Sequence, residues 1–187
     1  SNAGYQSRLC NEWHRKTLSH NTVCFNGEDI TSVSPGECLY YDESRVTAAA
    51  RNVYEGVDYE RTLKITEKGL KDVFQVESLK EGTFDYAFHL ESHLEVRCDL
   101  FGTEAGLGFD KNGYEHVLET RRLRTEEKTV TFQAVSADVC LKIKVELEEG
   151  QELYLLKTMD NPVNKIRTTI LIRSVSKNPK FHLEIGD

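Results

Sequence analysis

Residues 138–147 read DVCLKIKVEL. In an extended chain Val139, Leu141, Ile143, Val145 and Leu147 point one way, and Cys140, Lys142, Lys144 and Glu146 point the other. Strict alternation of this kind describes a strand with one buried and one wet face. DYERTLKI (58–65) alternates in the same way, with Tyr59, Arg61, Leu63 and Ile65 on one side. Glu67-Lys68-Gly69 then turns the chain into LKDVFQVES, which predicts a hairpin.

Working outward, further strands are predicted over 21–26, 37–42, 45–53, 84–91, 94–101, 115–124, 128–135, 152–158, 165–175 and 180–185. The segment VTAAARNVY (46–54) has some helical propensity, but its setting favours a strand. Turn residues separate these runs: Asn26-Gly27, Pro35-Gly36, Glu81-Gly82, Asn112-Gly113, Glu149-Gly150 and Asn161-Pro162. No long window carries a 3.6-residue period. The fold predicted is all-β, a large antiparallel β-sandwich. The glycine-rich stretch GTEAGLGFDKNG (102–113) has no helix after it to make a phosphate loop, so it is read as a long hairpin loop.

Ser1-Asn2-Ala3 resemble the scar of a cleaved tag and are set aside. Residues 4–20 are expected to be a truncated entry segment and the least ordered part, and 21–187 a single sandwich domain. A chain of 187 residues buries roughly 70% of its unfolded surface and needs no disulfide staples. The five cysteines, 10, 24, 38, 98 and 140, form no CxxC pair. Those at 24, 98 and 140 fall in predicted strands and are expected to be buried free thiols. The net charge of −7 argues against a nucleic-acid partner, and no apolar run is long enough for a membrane helix. The basic cluster Arg121-Arg122-Leu123-Arg124 is read as a solvated strand face.

Chemistry concentrates near the start, in EWHRKTLSHNTVCFNGEDI (12–30), which holds His14 and His20. His89 and His93 are four apart, a metal pair on a helix, but roughly 13 Å apart on a strand. A core or cross-strand role for His89 is therefore favoured over a metal pair. No GxSxG or HExxH is present, and no Cys-His arrangement has a spacing that predicts a nucleophile. Trp13, Tyr40 and Tyr41 are the candidates for an aromatic carbohydrate platform.

WHRKTLSHNTVCFNG (13–27) resembles a segment of the heparinase II/III-like polysaccharide lyases, a group that includes the oligo-alginate lyases. VYEGVDYERTLKIT (53–66) with GLKDVFQVES, FDYAFHL (84–90) and MDNPVNKIRTTILIRSVSKNPKFHLEI (159–185) are similar to its later strands. The resemblance implies that the chain is a sandwich fragment lacking an N-terminal (α/α) toroid, which would be its partner across a glycan cleft. It implies β-elimination on an acidic, uronate-containing polysaccharide, with the catalytic groups upstream and the fragment itself inactive. His20 takes the position of a structural-zinc ligand in the full-length protein. The fragment alone is expected to hold no zinc, since it supplies one ligand of about four. His14 stands where relatives place a cleft tyrosine, and Arg15 beside it could neutralise a uronate carboxylate. By resemblance the parent protein is placed in the periplasm or outside the cell. Two other readings are a carbohydrate-binding module and a purely structural or interaction sandwich.

Overall fold

A computed structural model describes residues 8–186. A π-helical turn at Cys10–His14 and a 3-10 turn at Thr17–Ser19 open the chain. Fourteen strands follow. The first five are β1 (Val23–Phe25), β2 (Glu37–Tyr41), β3 (Arg45–Tyr54), β4 (Val57–Thr66) and β5 (Gly69–Ser78). Next come β6 (Gly82–His89), β7 (Glu95–Arg97), β8 (Gly102–Glu104), β9 (Glu119–Leu123) and β10 (Thr129–Val135). The last four are β11 (Cys140–Glu146), β12 (Glu152–Met159), β13 (Ile166–Ser176) and β14 (Lys180–Gly186).

They form two antiparallel sheets. The six-stranded sheet runs β1-β6-β13-β12-β9-β8, and the eight-stranded sheet runs β2-β3-β4-β5-β14-β11-β10-β7. The predicted sandwich is what is observed. Alternation explains it strand by strand: in β11, Ile143 and Val145 are fully buried while Lys142 and Lys144 are exposed. Phe132 of β10, Phe181 of β14, and Phe84 and Tyr86 of β6 meet them between the sheets. The 46–54 segment is strand, since its register against β4 places Ala50 beside Tyr59 in that core.

Two local readings are corrected. The predicted 94–101 strand is only β7, three residues long, and the chain then crosses to β8 at the edge of the other sheet. The stretch 102–113 is therefore more than a hairpin loop. It starts with β8 and then lies over the outer face of the six-stranded sheet, burying Leu107 and, just beyond, Tyr114. That face carries a second core: Trp13 and Leu18 pack with Cys24, Ala87, Tyr154, Leu156, Met159 and Leu171. The six-stranded sheet is covered on both sides, which is why FDYAFH in β6 is almost continuously buried instead of alternating.

This second core takes in part of the entry segment. From Trp13 to Ser19 it is packed, because two large apolar side chains gain more from covering the sheet than from facing water. The tag scar and residues 4–7 lie outside the described residues. Among the cysteines, Cys24 is buried as expected, but Cys38 and Cys140 are exposed and Cys98 is half-buried. Cys140 projects from the wet face of β11, so being in a strand did not bury it.

Candidate functional site

The entry segment is fastened from three sides. Asp29 receives the Thr17 backbone N–H at 2.9 Å and Lys16 Nζ at 2.8 Å, and Ile30 N–H donates to Thr17 Oγ1 at 2.7 Å. The Trp13 indole donates Nε1–H to the Met159 carbonyl at 3.0 Å. From the third side Gly113, at φ +99°, presses against Lys16 Cβ, where an added Cβ would come within 3.2 Å. This φ suits glycine, so the loop closes over the segment with little strain.

Beneath lies a line of polar side chains on the outer face of β6, β12 and β13. His89 and Thr169 are register partners, and His89 Nδ1 meets Thr169 Oγ1 at 2.6 Å. Its Nε2 meets the Leu18 carbonyl at 2.8 Å. A carbonyl only accepts, so Nε2 carries the proton and Nδ1 accepts from the threonine hydroxyl. Thr158 Oγ1, 2.9 Å away, completes the chain by donating to Thr169. Burial pushes the His89 imidazole down to about 3, helped by the positive charge of Arg167. His89 is thus a neutral, satisfied core histidine. His93 lies in the turn between β6 and β7 and shares none of these contacts.

Asn21 accounts for part of the HNT motif. Its side-chain oxygen accepts the His89 N–H at 2.8 Å, and its carbonyl accepts from Arg61 Nη1 at 2.8 Å. With Asn21 turned inward, His20 is left exposed at the rim. His14 lies near His20 and Arg167, half-buried. Burial first, then the charges of Arg167 and His20, hold the His14 pKa below the usual histidine value, against the pull of Asp160. Arg15 is exposed and donates to Asn11 Oδ1 at 3.2 Å. His14 and His20 are thus brought within range of each other, and Arg15 beside His14 is exposed. Trp13, fully buried, is excluded from a sugar-stacking platform, whereas Tyr40 and Tyr41 are exposed on β2.

Sequence reasoning did not single out Arg167 or Asp160. Arg167 donates from Nη2 to the Ser19 carbonyl at 2.8 Å, and its Nη1 lies 3.8 Å from Asp160 Oδ1. Asp160 accepts from Ser92 N–H at 3.1 Å and Asn161 N–H at 2.8 Å. Burial would raise its pKa, but these hydrogen bonds and Arg167 hold it below the usual carboxylate value. A signal existed in IRTTILIRS, where Arg167 and Arg173 share a strand face with Thr169 and Leu171. Buried arginines of that kind call for acidic partners. Among the described residues, no group of three or more His, Cys, Asp or Glu is placed to hold a metal ion. His20 alone does not make a zinc site.

A two-sheet antiparallel sandwich with its entry segment folded back onto an outer face is the class of domain at issue. The family model for the heparinase II/III-like C-terminal domain matches residues 2–180, and the chain belongs to that polysaccharide lyase family. Among solved structures it is similar to the heparan sulfate lyase HepC of Pedobacter heparinus, with a TM-score of 0.66 and 12% identity over 100% of this chain. It is also similar to a heparinase III, with a TM-score of 0.64 and 12% identity over 99% of the chain. In both cases it spans 26% of the other chain, about a quarter of its length. At this identity the likeness is one of fold. A search of curated protein sequences gives no significant match. Among the described residues no helix is long and apolar enough to cross a membrane.

Proposed function

We propose that the chain is the non-catalytic sandwich of a lyase that cleaves uronate-containing acidic glycans, and that the Trp13–His20 shelf forms one wall of the cleft. The observation that carries this reading is the shelf itself. Three fastenings, the buried tryptophan among them, hold His14 and His20 at one rim of the six-stranded sheet. A rigid scaffold presenting titratable side chains at its surface is what a glycan cleft requires.

In the proposed reaction a base takes the proton α to the uronate carboxylate. The C–H electron pair forms the new double bond, and the glycosidic C–O bond breaks with its oxygen protonated by an acid. Stabilising the enolate-like charge that develops on the carboxylate is the main demand on the site. Base and acid are assigned to a toroid domain elsewhere in the longer protein. His14, with Arg15 beside it, is assigned to the substrate side. His20 is assigned as one ligand of a structural zinc completed by that other domain, and no step is routed through the metal. The longer protein is assigned to the periplasm or the exterior of a bacterial cell, which fractionation would check.

The test compares this chain with the full-length protein on alginate, heparin, heparan sulfate, hyaluronan and chondroitin, following the ultraviolet absorbance of the unsaturated uronate product. Signal from the longer protein alone is expected. Absence of signal from both, on every uronate glycan tried, would overturn the lyase reading.

A further inference from the structure

The geometry points to a second acidic-glycan site on the outer face of the eight-stranded sheet, where a row of exposed cations crosses the strands; this rests on the reading of an acidic polysaccharide as substrate. Strand register fixes the row. Arg45 stands opposite Lys64, Lys64 opposite Lys71, Lys71 opposite Glu184, and Glu184 opposite Lys144. Residues directly opposite on paired strands share a face. Ile143 and Val145, on either side of Lys144, are buried between the sheets, so the whole row faces outward. With neighbouring strands about 4.8 Å apart, it runs about 19 Å across five strands.

Two residues along, Lys142 stands opposite Gly186 and Thr66 opposite Gly69. No side chain fits at either glycine. A Cβ on Gly69 would come 1.9 Å from the Ile185 carbonyl oxygen, and one on Gly186 would come 1.9 Å from that of Lys68. Both glycines line a cleft of about 690 Å³, with Lys68 on one side and Lys142 and Lys144 on the other. Glu67 and Glu184 line it as well.

These six cations gather on a chain whose net charge is −7. All are exposed, and among the described residues only Lys71 has an ion-pair partner, Glu184 at 3.7 Å. Arg45 lies over the Tyr40 ring, 3.8 Å from its centroid. Like charges directly opposite each other destabilise a sheet, and this face holds two such pairs in a line, Arg45–Lys64 and Lys64–Lys71. Asp58, Glu60, Glu77 and Glu146 lie towards the other end of the same strands. That acidic end repels a polyanion, so the ligand is held across the strands, along the basic row. A polysaccharide with repeated carboxylates or sulfates suits lysines, which act as mobile point charges. The polysaccharide lyase family of this chain favours that polyanion over a nucleic acid.

The chain would be titrated calorimetrically, at two salt concentrations, with a heparin oligosaccharide, an unsulfated oligouronate, a neutral malto-oligosaccharide and a short DNA duplex. Both acidic oligosaccharides should bind, more weakly as salt screens the lysines, and the neutral one should not. Lys64→Gln with Lys71→Gln, and Lys142→Gln with Lys144→Gln, should each weaken binding about tenfold. Arg124→Gln, which removes a cation just beyond β9 in the other sheet, should bind like the wild type. The first double variant should keep its melting temperature, because it relieves a like-charge contact, and this separates a lost site from a lost fold.

Binding unchanged in both double variants, or absent for both acidic oligosaccharides, would overturn the site. DNA bound as tightly as the heparin oligosaccharide would overturn its assignment to glycans. The ultraviolet assay of the longer protein answers the lyase reading separately. Unsaturated product from that protein, with no glycan bound by this chain, keeps the lyase reading and overturns the site. Variant-sensitive binding with no product keeps the site and sinks the lyase reading.

Discussion

Asp85 and Tyr86 are consecutive on β6, yet their side chains end in separate arginine–aspartate–tyrosine clusters on opposite faces of the six-stranded sheet. On the outer face Asp85 accepts from Arg173 and, at 2.7 Å, from the Tyr114 hydroxyl. On the inner face the Tyr86 hydroxyl donates to Asp72 at 2.6 Å, and Arg61 pairs with that same carboxylate. The outer cluster pins the 102–118 crossing and the inner one joins the two sheets, so β6 fastens both layers at adjacent residues. Burial alone would lower the Arg173 pKa, but the hydrogen bonds and charge of Asp85 raise it overall.

Asp85→Asn should be strongly destabilising. It leaves the Arg173 guanidinium, 11% exposed, without its counter-charge in the second core, at a cost of about 3–5 kcal/mol. The urea midpoint measures this. The double change Asp85→Leu with Arg173→Leu should recover most of the loss, because no unpaired charge then remains. A single variant as stable as wild type would mean that the pair contributes nothing.

Truncating Trp13 should cost stability even though it lies near the start of the chain. Trp13→Ala removes a side chain with 0% exposure and its hydrogen bond to Met159, for a loss of about 3–5 kcal/mol. Hydrogen exchange should speed up first at His20 and Lys16, whose backbone N–H groups close the turns of this segment. Unchanged stability and exchange would show that the entry segment does not contribute to the fold.

Acid should destabilise the protein through His89. The folded imidazole titrates at about 3 and an unfolded histidine near 6.5, so unfolding takes up a proton throughout that interval. Stability is therefore at its full value above about pH 6.5, falls as the pH drops, and levels off below about 3. The His89→Gln variant, compared with wild type in denaturant midpoints across this range, isolates the contribution from that of the carboxylates. Parallel curves for the two proteins would contradict the assignment of a neutral buried ring.

Zinc should not co-purify with this chain at one equivalent. His20 is exposed, and no group of three ligand-type residues is assembled among the described residues. Metal analysis after dialysis should give well under one zinc per chain, and a chelator should leave the melting temperature unchanged. A stoichiometric, chelator-sensitive zinc would show that the ligand set is complete without another domain.

Most of the sandwich was legible because burial of one sheet face writes a two-residue period into β4, β5, β10 and β11. The crossing at 102–118 was not legible, because Leu107 and Tyr114 are isolated apolar residues in an irregular segment and carry no period. The packing of Trp13–Ser19 was not legible for a related reason. Trp13 and Leu18 look like loose apolar residues until the outer face of β6 and β13 is known to need a cover. At the candidate site, His14 and His20 were visible as residue types close together in sequence. Arg167 and Asp160 were not, since their link to His14 runs through β13 and the turn before it, about 150 positions away in a register that only folding creates.

The eight-stranded sheet ends on one side in β2, whose five residues are all exposed. An open edge of this kind, ECLYY, invites another chain to add a strand and seed aggregation. The register shift between Cys38 and Tyr40 breaks the regular spacing of the ladder against β3. Charged Glu37 opens the run and Asp42 follows it, engaged by Ser44 and Arg45 at the turn. A bulge and flanking charge are the usual deterrents to edge pairing. Growth of the sheet into a fibril is thereby discouraged at the edge most able to support it, and smoothing that bulge would be expected to lower the solubility of the protein before its stability.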